Sequence, residues 1–130
     1  MSIILDKLFT ESLLKKAGES TRLRQNYDLR NSEADTSQRM LNALHPGTQV
    51  PIHCHLDTAE TVICICGQVE EILYEPINAE NTEFKVVEQI LLCPTKGSFG
   101  MQIPAGIWHN IHVIEPSVIF EAKDGAYKID

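Results

Sequence analysis

Between residues 40 and 125, glycine and proline punctuate the chain repeatedly, and the segments between them carry strand-like rather than helical patterns. The breaks fall at Pro46-Gly47, Pro51, Gly67, Pro76, Pro94, Gly97, Pro104, Gly106, Pro116 and Gly125. Proline removes a backbone donor and glycine admits left-handed turns, so each break favours a change of direction. Between them lie strand-like segments: Met40–Leu44, Thr61–Cys66, Gln68–Tyr74, Phe84–Cys93, Gly100–Ile103, Trp108–Ile114 and Val118–Ala122. Many short strands with turn signals and almost no helix predict an all-β sandwich or closed barrel. Thr61–Cys66 is continuously apolar, as a strand covered on both faces would be.

Charge divides the 130 residues. Residues 1–39 carry seven Lys/Arg and six Asp/Glu, a net of +1, and residues 40–130 carry four and twelve, a net of −8. The first part reads as an appendage rather than an independent domain, and residues 40–130 as the single β domain. In the appendage, Thr10 is placed to cap a short helix through Leu13, Leu14 and Ala17, with Gly18 as its stop. Ser20–Thr36 is polar and aperiodic and reads as loop.

The net charge of −7 repels phosphate backbones, so nucleic acid is not an expected partner. The run Val62–Cys66 is far too short to span a bilayer, and Met1–Asp6 lacks the features of a secretion signal. The expected location is therefore the cytoplasm, with no membrane partner. The four cysteines are expected as thiols in a reducing compartment.

His53-Cys54-His55 is the most informative tripeptide. On a strand, residues i and i+2 face the same way, roughly 6–7 Å apart. On a helix they would diverge by about 200°. Two imidazoles on one inward face can grip one ion. Glu60 follows after a four-residue turn and opens an apolar strand, where a buried charge needs compensation. His109 follows the Pro104/Gly106 turn, at the start of another strand. Three imidazoles and one carboxylate suit a divalent transition metal such as Zn, Fe, Mn, Ni or Cu.

These two segments resemble the paired motifs of the cupin superfamily. The first motif, G-x5-H-x-H-x3,4-E-x6-G, is matched at Gly47, His53, His55, Glu60 and Gly67. The second, G-x5-P-x-G-x2-H-x3-N, is matched at Pro104, Gly106 and His109. It departs at Ser98, where Gly97 lies one residue off, and at Val113. No ligand position is lost. Further segments are similar to the WbuC-type cupin metalloproteins: Arg22-Leu-Arg24, Asp28-Leu29, Gln38-Arg39-Met40, Asn42-Ala-Leu44, Pro46-Gly47 and Phe120–Gly125. That resemblance implies a single cupin barrel (a double-stranded β-helix or jelly roll) with a short N-terminal helical appendage. It also implies one divalent metal (Zn, Fe, Mn or Ni) on His53, His55, Glu60 and His109, and a link to bacterial surface-polysaccharide gene clusters.

All four arginines lie in residues 22–39. Arginine makes bidentate contacts to carboxylates and phosphates. Arg39, assisted by Arg24 and Tyr27, is the candidate holder of an anionic ligand group. The competing reading pairs these arginines with Asp28, Glu33 and Asp35. Strand alternation groups Arg39 with Leu41 and Ala43, and either face is free to point inward. His45 reads as structural, His112 as surface, and Cys54 and Trp108 as facing away from the histidines. A cupin with an open metal fits an enzyme acting on a small, sugar-derived or anionic molecule, as an isomerase or an iron-dependent dioxygenase. It equally fits a non-catalytic metal-dependent binding protein. The two apolar faces of Thr61–Cys66 further predict a homodimer.

Overall fold

The computed structural model describes residues 2–125. Helix α1 spans Lys7–Glu19. It starts one turn earlier than Thr10 would dictate, because the Asp6 side chain accepts the Phe9 N–H at 3.0 Å. Thr10 is instead buried inside the helix and bonds the Lys7 carbonyl. Gly18 does not stop the helix, which ends at Ser20. A Cβ on Gly18 would lie 3.3 Å from the His45 ring, so its smallness admits that ring. His45 Nε2 meets the Leu14 carbonyl at 2.8 Å and pins the helix to the sheet.

The sheet has six strands: β1 (Arg24–Asp28), β2 (Ser37–Leu44), β3 (Glu60–Pro76), β4 (Phe84–Leu92), β5 (Gly100–Ile103) and β6 (Trp108–Asp124). The order is β1-β2-β6-β3-β4, with β5 also on β3, and every pairing is antiparallel. The segment expected as loop thus contributes β1, an edge strand paired to β2. Its side chains are polar, so the pairing, not an apolar pattern, makes it a strand.

Two expected pairs of short strands are each one long strand. Gly67 and Pro116 do not break β3 and β6 but bend them, with register shifts from Cys64 to Val69. Before the bend β3 pairs β5, and beyond it β4, while β6 follows along the other edge. The sheet thereby doubles into a sandwich rather than closing as a hydrogen-bonded barrel, with β1 and β4 as its edges. Gly67 is required there: it has φ +93°, and a Cβ would lie 2.2 Å from Ser117 Oγ.

The inner core contains Leu44, Val62, Val69, Leu73, Leu92, Ile103, Val113 and Ile119. A second cluster, Leu13, Ala17, Leu41, Ala43 and Val118, lies where α1 covers the outside of the sheet. Inner and outer residues alternate along β2, so Leu44 and Asn42 face inward and Leu41 and Ala43 face the helix. On β3, Val62 and Cys64 are buried while Ile63 and Ile65 are exposed. The cover expected on that second face is absent among the described residues. No helix there is long and apolar enough to cross a membrane, and Cys64, Cys66 and Cys93 are free thiols.

Candidate metal centre

The loop after β2 returns alongside β6, where His53 and His109 form an isolated antiparallel bridge with mutual backbone bonds of 3.0 and 2.8 Å. Partners across such a bridge point to one side, so both rings face the interior. His55, two residues on, joins them. The Pro104/Gly106 turn locks this placement. Gly106, at φ +81°, donates its N–H to the His55 carbonyl at 2.8 Å, linking the two motif segments directly. Gly97 takes the left-handed conformation at φ +79°, so the one-residue offset of the second motif retains a glycine turn. Val113 is buried in the core.

Glu60 opens β3 from the facing layer and is 4% exposed. The ligand atoms of His53, His55, Glu60 and His109 all lie within 4.8 Å of one another, close enough to hold a metal ion. Two histidines are also oriented for it. His53 Nδ1 meets the Pro51 carbonyl at 2.8 Å, and His109 Nδ1 meets the Ile107 carbonyl at 2.9 Å. A carbonyl only accepts, so Nδ1 carries the hydrogen and Nε2 is left as the ligand atom. His109 Nε2 and His55 Nε2 approach the same Glu60 oxygen, at 3.1 and 3.3 Å. Lone pairs pointed at a carboxylate demand a cation between them, either a proton or a metal ion. The donor set fits a divalent transition metal.

Electrostatics follow from this crowding. Burial pushes the Glu60 pKa up, but hydrogen bonds with His109, His55 and Glu121 outweigh it and hold the carboxyl well below its usual range. Burial and the bond to Glu60 raise Glu121 well above the usual range. Asn42 Nδ2 donates to Glu121 Oε1. Burial pulls His109 down, and the bonds to Glu60 and the Ile107 carbonyl outweigh that and raise it. His53 is lowered, first by burial and also by its two neighbouring imidazoles.

The residues selected for an anionic ligand are not brought to this cluster. Arg39 shares the helix-side face with Leu41 and Ala43. It donates to the Ser37 and Leu29 carbonyls at 2.9 and 3.1 Å and pairs with Asp35 at 3.3 Å. These bonds tie Arg39 to the 29–37 loop. Tyr27 packs edge-on against Phe9, with ring centroids 5.0 Å apart, under α1. Arg24 lies opposite Leu44 on the edge strand β1, with β2 between it and β6. Trp108 rests on Phe84, 5.1 Å between centroids, away from the cluster. His112 is exposed and Cys54 is buried.

One interior acid was not singled out from the sequence. Glu71 is 3% exposed, and its Oε2 has no hydrogen-bond partner among the described residues. Burial pushes its pKa up to about 8. An unpaired buried oxygen of this kind costs about 1–3 kcal/mol. The alternation of Val69, Glu71 and Leu73 on β3 carried the signal, since both flanking apolar residues face inward. Beyond Leu73, an open groove of about 570 Å³ lies between β4 and the β5–β6 turn, lined by Leu73, Met101, Ile107, Glu88 and Gln102 among others.

The fold is the cupin fold. Among solved structures, TT1209 from Thermus thermophilus superposes with a TM-score of 0.64 at 19% identity, covering 95% of this chain and 98% of its own. The capsular polysaccharide assembling protein CapF from Staphylococcus aureus gives 0.63 at 18% identity, covering 84% of this chain. The Cnp3 cupin domain of Schizosaccharomyces pombe gives 0.57 at 12% identity, covering 79% of this chain and 65% of its own. The chain spans only 30% of CapF. A search of curated protein sequences returned no match. A family model described as a domain of unknown function, DUF6016, matches residues 5–86, and the chain belongs to that family. The matched span includes His53, His55 and Glu60 but not His109.

Proposed function

We propose that the protein binds one divalent transition metal through His53, His55, Glu60 and His109 and uses it to hold and activate a small molecule. The convergence of the four ligand atoms carries this reading. The bound metal would supply Lewis-acid polarisation of a carbonyl or hydroxyl oxygen. The chain's own residues supply the rest. The Pro51 and Ile107 carbonyls aim two of the imidazoles, and Asn42 holds Glu121 beside the cluster.

An open metal position fits a metal-assisted isomerisation, and simple ligand holding is the second reading. The fold likeness to CapF and the motif resemblance both favour a sugar-derived ligand, in a cytoplasmic setting. The test is a thermal-shift panel of neutral sugars, sugar acids, keto acids and phosphorylated sugars, each run with Zn, Fe, Mn or Ni and with chelator. A stabilising ligand whose effect vanishes with chelator supports the proposal. A ligand indifferent to metal contradicts it.

The exposed Ile63 and Ile65 support a homodimer through the outer face of β3. Light scattering at high micromolar concentration should give twice the chain mass, and a strict monomer would reject the dimer.

A further inference from the structure

Glu71 has no part in the fold that explains it. Its neighbours in register are Ile111 on β6 and Ile90 on β4, so its own row of the sheet is apolar. An acid there is a poor choice for packing, and leucine would fill the same space without an unmet oxygen. One row away on the same inner face, Leu73 pairs with His109. Glu71 is close enough to His109, Glu60 and Glu121 to interact with all three electrostatically. The unpartnered Oε2 thus belongs to a buried side chain on the interior wall that also carries His109, one row away.

We propose that Glu71 belongs to the metal centre as a positioning residue, its free oxygen hydrogen-bonding an oxygen of the water or small molecule seated next to the ion. This rests on the metal-binding reading above. It assigns the site a ligand with a hydrogen-bonding oxygen on its β3 side, flanked by the apolar wall of Leu73. Groups of this kind around a metal typically change its affinity by about 10–100-fold when removed.

The test uses the full chain and Zn2+ alone as the probe, with affinity read by competition against a chelating dye. The variants are Glu71→Leu, Glu71→Gln and, on the opposite face of β3, Glu70→Gln. Glu71→Leu should bind Zn2+ about 10–100-fold more weakly, yet melt higher than wild type when metal-free. Glu71→Gln keeps one acceptor oxygen and should fall between. Glu70→Gln should match wild type. Loss of affinity with gained metal-free stability separates a site residue from a packing residue. Wild-type affinity in both Glu71 variants would overturn the assignment while leaving the metal centre standing. Wild-type protein that binds no Zn2+, Fe2+, Mn2+ or Ni2+ would overturn both.

Discussion

Replacing His109 or Glu60 by alanine should weaken metal binding by roughly two to three orders of magnitude. Each supplies one of four ligand atoms, and Glu60 is approached by two of the imidazoles through a single oxygen. If a four-ligand site is worth roughly 10–16 kcal/mol, as in small zinc sites, one ligand carries about a quarter of that. The loss is then on the order of 100- to 1,000-fold in Kd. Glu60→Gln should fail nearly as badly, since it keeps the shape and removes the only negative charge among the four. His112→Ala and Arg39→Ala should bind metal as wild type does. His112 is exposed, and Arg39 is committed to Asp35, Ser37 and Leu29. Competition titration with a chelating dye reads all five. Affinity should also fall as pH drops below neutrality, because the imidazoles must shed their protons to bind.

The second large effect is structural. Gly67→Val should destabilise the protein by about 3–5 kcal/mol, combining overpacking with backbone strain. A Cβ at residue 67 would sit 2.2 Å from Ser117 Oγ and 2.4 Å from the Pro116 carbonyl, at φ +93°. It would also displace the bond from the Gln68 N–H to Ser117 Oγ at 2.9 Å. That bend is what brings Glu60, before it, and His109, paired beyond it, into one interior. The control is Gly97→Ala, with φ +79° and no atom within 4 Å of the added carbon. It carries the left-handed penalty alone, roughly 1–2 kcal/mol. Denaturant midpoints measure both, and a Gly67→Val midpoint equal to that of Gly97→Ala would contradict this account of the bend.

The metal candidates were legible because spacing on strands dictates direction. An i, i+2 pair points one way whatever the rest of the fold does, and five spaced residues from Gly47 to Gly67 matched the first motif. The alternation of Val62 and Cys64 against Ile63 and Ile65 was legible for the same reason. What could not be read was which residues stand opposite one another. Gly67 and Pro116 look like strand ends in isolation and become bends only because β3 and β6 lie side by side. Arg24–Asp28 is polar apart from Tyr27 and becomes a strand only against β2. Arg39 had two possible directions, and the helix packed on Leu41 and Ala43 decided between them. Asp6 and Thr10 compete for one helix start, and the winner depends on Thr10 being buried. Glu71 was overlooked because a carboxylate between apolar residues resembles a surface position until both neighbours are seen to face inward.

The most direct test of the central claim is an anomalous-scattering map from crystals of wild-type protein that has never met a chelator, collected on both sides of the absorption edge of the metal found by elemental analysis. The account predicts one peak surrounded by His53 Nε2, His55 Nε2, a Glu60 oxygen and His109 Nε2, at about 2.0–2.2 Å from each. No peak among these four residues, with the imidazoles bonded to Glu60 through protons alone, would contradict it.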